Sequence, residues 1–313
     1  MLDCLPVPML RVMRNVFRTM IFSMMRDNTT PGWWEKFVGP GCAIDTDKFF
    51  VICTNTLGGC YGSSRCVAQK NYVDISKVKV TLGVQRSKMA INELFWAITM
   101  SFILHASVGS SLGGMCSLTA AAMYPDRVGR QVVMVSISSC AQSHPSSIAA
   151  RYLQRKCIMV DPNWNKGHYY DGKYLKMGMK LARELATMGY RSGPEWDLRF
   201  ARKRIDEGKP PTLCPTFIIE SYIEYQGEQF STKFDPNSLL YISKAMDIFD
   251  IEEGYNSLEE ALERVQRELA TSLTKSGNSH VTYYEIDSIY GHDTFLLDLN
   301  NIGAAVKVLC MVL

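Results

Sequence analysis

Apolar runs mark the first half of the chain, at residues 49–53, 102–108 and 128–137. Such runs are typical of parallel strands that are covered on both faces. A stretch of small residues at 114–124 follows the second run and stops at Pro125, which predicts a helix between two strands. Strand, helix and strand in this order indicate an α/β sheet.

Residues 139 to about 256 have a mostly helical pattern rich in Tyr, Arg and Lys, which predicts a helical cap inserted over the sheet. Ser257 and Glu260 then form a capping box at the start of a helix with one apolar face. A final strand at 281–286 and a closing helix from Phe295 complete the pattern.

The predicted organisation has four parts. They are an N-terminal segment at 1–31, the first part of the core at 32–138, the cap at 139–256 and the second part of the core at 257–313. Within the first part of the core, residues 78–84 alternate like a further strand.

The N-terminal segment is open to three interpretations. Residues 5–25 are apolar, but Arg11, Arg14 and Arg18 interrupt them, which excludes a membrane-spanning helix. The absence of acidic residues after Asp3 is compatible with an Arg-rich leader. A surface helix fits at least as well, and a substitute strand or an artefact of the sequence is the third alternative. The apolar stretch 94–108 is too short for a bilayer and is expected to be buried.

Composition excludes several classes of function. A chain of 313 residues with 47% hydrophobic content can bury a large core. Its formal charge of +3 is too small to indicate a nucleic-acid partner. The ten cysteines form no C-x-x-C pair or Cys/His cluster, so no metal site is predicted. Scattered thiols favour a reducing compartment. We expect the cytoplasm, with the mitochondrion as the alternative that an Arg-rich leader would imply.

The apolar run before residue 109 leads into the motif Gly-Ser-Ser-Leu-Gly at 109–113. A G-x-S-x-G motif between a strand and a helix lifts its central serine above the end of a sheet. Ser111 is therefore the candidate nucleophile, and the backbone N–H of Leu112 the candidate oxyanion donor. A plain glycine-rich turn is the alternative. A phosphate-binding loop is disfavoured, because no Lys-Ser or Lys-Thr follows the glycines.

A serine nucleophile needs a base, and His292 is the candidate among five histidines. It follows the last predicted strand and obeys the chain order of serine, acid and histidine that this motif favours. The others lie in the strand before Ser111, in the cap or before the last strand: His105, His144, His168 and His280.

The catalytic acid is not assigned. No unit of strand followed by aspartate lies between the cap and His292. Asp287 is too close in sequence to His292, and Asp247 and Asp250 belong to the cap.

Several longer segments resemble the homoserine O-acetyltransferases, the α/β-hydrolase-fold acyltransferases of methionine biosynthesis. These segments are GWW with VGPGCAIDTDKFFVICTNTLGGCYGSS, GSSLGGM, DPNWNKGHYY, ESYIEYQGEQF with FDPNSLLYISKAMDIFD, and YGHDTFLLD. Together they cover about two thirds of the chain in the family's order.

The resemblance implies an α/β-hydrolase fold, with a mostly parallel sheet, helices on both faces and a helical cap. It also implies Ser111 as the residue acylated by acetyl-CoA, His292 as general base, and Arg183, Tyr190 and Asp293 as contacts of the amino-acid acceptor. Arg183 and Tyr190 are seven residues apart and share a helix face. A guanidinium can bind an α-carboxylate through two parallel hydrogen bonds, and a carboxylate can pair with an α-ammonium.

Three family segments have no counterpart. They are an early strand with an HALTG-like loop before Gly32, the family pattern across 65–101, and a strand with the catalytic aspartate between Gln266 and Arg267. The first hypothesis is transfer of an acetyl group from acetyl-CoA to homoserine, or to serine, without a bound cofactor or metal. The second is a catalytically impaired relative, from a splice form or an incomplete gene model.

The third hypothesis is a general esterase, against which the charges of Arg183 and Asp293 argue. Small molecules are the expected partners. A homodimer is compatible with the sequence, which does not decide the oligomeric state or between acetyl and succinyl donors.

Overall fold

The computed structural model describes residues 18–23, 34, 36–54, 59–60, 104–123, 133–170, 172, 174–252 and 285–311. The predicted strand at 78–84, the helix that begins at Ser257, His280 and most of the final strand lie outside these residues.

A sheet of four parallel strands forms the centre of the described chain. Its spatial order is β4-β1-β5-β6, with a separate two-stranded sheet of β2 and β3 beside it. The predicted α/β sheet is confirmed, because three of the strands overlap the three apolar runs. The strands are β1 (Arg18–Ser23), β2 (Val38–Gly39), β3 (Ile44–Asp45), β4 (Phe49–Thr54), β5 (Leu104–Ser110) and β6 (Val133–Ile137).

Strand β1 corrects the interpretation of the N-terminal segment. It lies inside the sheet, with Arg18 opposite Phe49 and Ser23 opposite Thr54 on one side and β5 on the other. The surface helix is therefore wrong for residues 18–23, which form the substitute strand. Without β1, the backbone groups of β4 and β5 that face each other would be buried without partners, which is costly. The need to pair these backbone groups outweighs the spacing of Arg11, Arg14 and Arg18, which are three and four residues apart as on one face of a helix.

Helix α1 (Leu112–Met123) follows β5 directly, as the small-residue stretch predicts. The described residues of the region predicted to be a cap contain five α-helices and one 3-10 helix, Pro162–Gly167. The five are α2 (Pro145–Val160), α3 (Lys176–Tyr190), α4 (Gly193–Arg199), α5 (Ile218–Phe230) and α6 (Pro236–Asp247). Two helices close the chain, α7 (Thr294–Leu297) and α8 (Leu299–Met311). Residues 285–286 of the predicted final strand are irregular.

The apolar core is divided between sheet and cap. Beside the sheet, Trp34 and Phe37 pack with Phe295 of the closing helices. In the cap, Ile158, Leu175 and Met179 are fully buried in a cluster of their own. Because each cluster is continuous, the sheet and the cap are each held by burial of apolar side chains.

Polar contacts connect and stiffen the cap. Asp247 is buried, accepts a hydrogen bond from Arg151 at 2.6 Å, and forms an ion pair with Arg155 at 2.5 Å. Cys60, which precedes the cap in sequence, accepts the backbone N–H of Asp235 at 3.1 Å. A buried ion pair is stabilising only while both partners remain, so these contacts fix one arrangement of α2 and α6.

Across the described ranges, no helix combines the length and the hydropathy that crossing a membrane requires. Their His, Cys, Asp and Glu side chains also form no group of three that could hold a metal ion.

Candidate active site

Ser111 occupies a strained turn between β5 and α1. Its φ is +51°, its N–H donates to Ile137 O at 2.8 Å, and its carbonyl accepts from Met115 N at 3.0 Å. A positive φ is uncommon outside glycine and is maintained only where surrounding contacts enforce it. The turn places the hydroxyl beyond the carboxyl end of β5, where sites in parallel sheets form.

Gly109 permits this turn. A Cβ atom at this position would lie 2.1 Å from Gly113 O and 2.7 Å from Gly114 N, so α1 passes directly over the end of β5. Only a residue without a side chain fits there.

The base candidate reaches the nucleophile candidate from the other part of the core. His292 Nε2 lies 3.1 Å from Ser111 Oγ, although the two residues are 181 positions apart. Phe295 meets the imidazole ring edge to face, with centroids 5.8 Å apart. The distance is within the range over which a general base takes a proton.

The surroundings of His292 keep its ring neutral. Nearby protein atoms partly desolvate the ring, although the residue remains exposed on one side, and this lowers the pKa of His292 below its usual value. Asp293 opposes this change through its negative charge, and Arg151 adds to it. A neutral imidazole is the form that can accept a proton from serine.

The acid limb of the pH–rate profile should therefore lie below the ordinary histidine pKa of about 6.5. A lowered pKa means that the base stays unprotonated to a more acidic pH, so activity is lost only as pH falls through that lower value. Asp293→Asn removes the charge that raises the pKa and should move the limb further down. Profiles of kcat/KM against pH test this, with the exposed Asp287→Asn as the control. A limb above 6.5 would contradict it.

No acid completes a triad among the described residues. None of them donates to or accepts from Nδ1 of His292. Asp247 is paired with two cap arginines, Asp250 accepts from Gln142 at 2.9 Å, and Asp287 is exposed. The segment in which the chain order would place an acid, 253–284, lies outside the described residues.

Leu112 is the first residue of α1, so its N–H has no carbonyl partner within the helix. An amide in this position, next to the nucleophile, is suited to hold a developing oxyanion.

The three predicted acceptor contacts gather beside His292. On α3, the guanidinium carbon of Arg183 lies 5.4 Å from the ring centroid of Tyr190 and 4.7 Å from that of Phe230. The Tyr190 and His292 rings are 6.1 Å apart, and Asp293 N donates to Tyr190 O at 3.4 Å. The structure thus brings together residues separated by about a hundred positions.

Arg183 and Asp293 place a positive and a negative group beside His292, an arrangement that is complementary to the two charges of a free amino acid. Arg183 Nε is buried and has no hydrogen-bond partner among the described residues. Such a donor costs about 1–3 kcal/mol until an acceptor arrives. Loss of water raises the pKa of Asp293, while His292, Arg191 and Arg183 lower it.

Sequence reasoning missed how the cap holds the histidine loop. A Cβ on Gly291 would lie 2.8 Å from Tyr190 O and 3.0 Å from Ser192 N. Ser192 Oγ also donates to Ile289 O. The one signal in the sequence is the glycine immediately before His292, and nothing marked Ser192.

The sequence matches the alpha/beta hydrolase fold family over residues 26–285. A serine O-succinyltransferase of Emericella nidulans is 40% identical, and the alignment covers 90% of this chain and 70% of that protein. A homoserine O-acetyltransferase of Moorella thermoacetica is 32% identical, with 90% and 79% covered. The crystal structure of homoserine O-acetyltransferase from Bacillus anthracis superimposes with a TM-score of 0.74 at 22% identity, covering 95% of this chain and 88% of that one.

The alignment with the Emericella protein extends over 364 positions, which is more than the 313 residues of this chain. It therefore contains gaps opposite residues that the relative has and this chain lacks.

Proposed function

Because the chain belongs to the homoserine O-acetyltransferase family of α/β-hydrolase-fold acyltransferases, we propose that it moves an acyl group from a coenzyme A thioester to the side-chain hydroxyl of serine or homoserine. The observation that carries the proposal is the 3.1 Å contact between His292 Nε2 and Ser111 Oγ at the strained turn. The acyl-CoA is a co-substrate, with no resident cofactor.

In the proposed reaction, Ser111 Oγ attacks the thioester carbonyl while His292 takes its proton. The Leu112 N–H holds the negative oxygen of the tetrahedral intermediate. The carbon–sulfur bond then breaks, and the coenzyme A thiolate leaves with the proton from His292. The acceptor hydroxyl attacks the acyl-enzyme next, again losing its proton to His292, and the collapse frees Ser111 and the O-acyl amino acid.

Two relatives bear on the choice of substrates. The resemblance of the sequence favours acetyl-CoA and homoserine, which the name of the Moorella protein also carries. The relative with 40% identity is named for serine and succinyl transfer. We therefore place serine with succinyl-CoA first and homoserine with acetyl-CoA second.

Free coenzyme A released from each of the four donor and acceptor pairs measures the reaction. The expected result is release above the Ser111→Ala control for at least one pair, with an acyl adduct on Ser111 detected by mass spectrometry. Release equal to the control for all four pairs would overturn the proposed function.

The acceptor is proposed to lie between Arg183 and Asp293. Its α-carboxylate would supply the oxygen that the buried Arg183 Nε lacks, and its α-ammonium would face the Asp293 carboxylate. A charge-assisted hydrogen bond contributes about 1.5–3 kcal/mol.

Arg183→Ala should therefore raise the KM of the amino acid by roughly 10- to 100-fold and leave the KM of the acyl-CoA unchanged. Arg183→Lys keeps the positive charge but lacks the planar guanidinium, so its KM for the amino acid should lie between those of the parent and of Arg183→Ala. The control is Arg202→Ala, an exposed arginine of the cap. Steady-state kinetics decide the matter, and a rise in the acyl-CoA KM alone would assign Arg183 to the donor instead.

The second candidate is an impaired relative that binds its ligands without turning them over. The absence of a described partner for His292 Nδ1 favours it, since loss of the acid costs about 10⁴-fold in serine hydrolases. A single equivalent of coenzyme A released without further turnover would support this candidate. Transcript sequencing that showed an Asp-bearing segment between Gln266 and Arg267 would count against it for the native protein.

An esterase would not need the paired charges. Hydrolysis of simple aryl esters in preference to transfer onto an amino acid would favour that third candidate over both others.

We further propose a homodimer, because α3 has an exposed apolar stripe. Met177, Leu181, Leu185 and Met188 share one face of this helix and are 60%, 43%, 38% and 59% exposed. A stripe of this kind can pair with its own copy across a two-fold axis. Light scattering of the parent chain and of Leu181→Glu measures the change, and a monomeric parent would contradict the proposal.

Localisation in the cytoplasm is likewise proposed. The free thiols of Cys42, Cys140, Cys157 and Cys214 support a reducing compartment.

A further inference from the structure

The end of cap helix α3 and the histidine loop touch through three contacts, which we call the cap clasp. It joins residues 190–192 of the cap to residues 289–293 of the loop. Ser192 Oγ donates to Ile289 O, Asp293 N donates to Tyr190 O at 3.4 Å, and Gly291 lies directly against the backbone of Tyr190, Arg191 and Ser192.

The cap side of the clasp is rigid. Ser192 is the N-cap of α4, and its oxygen accepts from Glu195 N at 3.2 Å. Glu195 is 1% exposed and accepts from Arg191 at 2.9 Å and from Arg199 at 3.1 Å. The Ser192 hydroxyl is therefore used twice, with its oxygen in the cap and its hydrogen towards the loop.

The loop side is fixed as well. Thr294 Oγ1 contacts Gly291 O at 2.6 Å and Tyr290 O at 3.0 Å. Phe295 is buried beside Trp34, with ring centroids 6.4 Å apart. His292 projects between these two anchors, and its ring has one hydrogen-bond partner among the described residues, Ser111.

We propose that the cap clasp, with Ser192 and Gly291 as positioning residues, sets the place of His292 relative to Ser111. In a complete triad an acid orients the imidazole, and no described residue does so here. The contacts to Ile289 and Gly291 hold the loop before His292, and the bond from Asp293 N to Tyr190 O holds it after His292. The inference rests on the proposed function only in requiring that His292 activates Ser111.

The clasp also couples the acceptor site to the base. Arg183 and Tyr190 lie on α3, and the clasp begins at the last residue of that helix. A shift of α3 on acceptor binding would therefore reach the histidine loop through these contacts. A displacement of about 1 Å at reacting atoms can cost roughly a hundredfold in rate.

A fluorophosphonate probe tests the inference without any assumption about substrates. Ser111 Oγ forms a bond to phosphorus, fluoride leaves, and the proton passes to His292, so the labelling rate measures activation of the serine. Ser192→Ala removes both uses of the hydroxyl. Ser192→Asp retains an N-cap acceptor but cannot donate to Ile289 O. Ser192→Thr retains both.

We expect Ser192→Ala and Ser192→Asp to label at least about tenfold more slowly than the parent, and Ser192→Thr to recover most of the rate. Ser192→Asp should keep the melting temperature of the parent, which separates positioning from folding. The matched control is Thr212→Ala, which removes another cap hydroxyl bonded to a backbone carbonyl, Pro215 O at 3.1 Å. It should label at the parent rate.

Labelling of Ser192→Asp at the parent rate would overturn the inference, as would a parent chain that labels no faster than His292→Ala. If the parent labels in a Ser192-dependent manner yet releases no coenzyme A with any donor and acceptor pair, the proposed function fails and the cap clasp stands.

Discussion

Ser111→Ala is expected to remove all catalysed acyl transfer. In well-studied serine enzymes, loss of the nucleophile costs about 10⁶-fold in kcat, of which an orienting acid accounts for roughly 10⁴. No described residue bonds to His292 Nδ1, and a parent chain in which no other residue does so would lack that contribution. The fall for Ser111→Ala should then be about a hundredfold.

His292→Ala should cause the same fall, and the double variant no further fall, because the two residues act as one unit. Ser110→Ala is the control. It removes the neighbouring hydroxyl at the end of β5 and should leave the rate near that of the parent. The rate of coenzyme A release at saturating substrate concentrations is measured for the two single variants, the double variant and the Ser110→Ala control, each relative to the parent. A loss near 10⁶ would instead show that an acid from outside the described residues reaches His292.

Gly109→Ala is expected to be the most destabilising of the substitutions considered. Its Cβ would lie 2.1 Å from Gly113 O and 2.2 Å from the carbonyl carbon, and backbone atoms cannot give way as a flexible side chain can. Relief requires moving α1 away from β5, so the cost should be at least about 3 kcal/mol. That is a large share of the 5–15 kcal/mol that stabilises a typical domain.

Urea denaturation gives the free energy of unfolding for comparison with Gly189→Ala. That glycine lies in α3 with no atom within 4 Å of an added Cβ, and alanine should stabilise the helix by about 0.5–1 kcal/mol. Opposite signs for the two substitutions are the expected outcome. Equal stability of Gly109→Ala and the parent would show that the turn at Ser111 can relax.

The local parts of this structure could be predicted from the sequence. β4 and the elbow at Ser111 depend on neighbours in the chain, namely an apolar run and glycines at a fixed spacing. Arg183 and Tyr190 share a helix face, but only the family pattern distinguished them from ordinary cap residues. Local patterns therefore identified the strand and the candidate nucleophile, whereas the family resemblance was needed to assign a role to Arg183 and Tyr190.

The parts that failed are contacts between distant segments. The sequence RTMIFS of β1 is a strand because β4 and β5 leave a place for it, and no periodicity within residues 18–23 reveals that place. Ser192 and Ile289 are 97 residues apart, so their hydrogen bond leaves no trace in local spacing. The acid was not assigned from the sequence for the same reason, since its position depends on a strand that the described sheet does not include.

The position of β1 also imposes an order on assembly during synthesis. Residues 18–23 leave the ribosome before their second neighbour, β5, which is complete only after residue 110. Until then the side of β1 that β5 will occupy is unpaired, which leaves it open to pairing with another nascent chain. Pairings between segments this far apart form slowly. We therefore expect the sheet to be completed, and the strained turn at Ser111 to form, in one late step, when β5 pairs with β1.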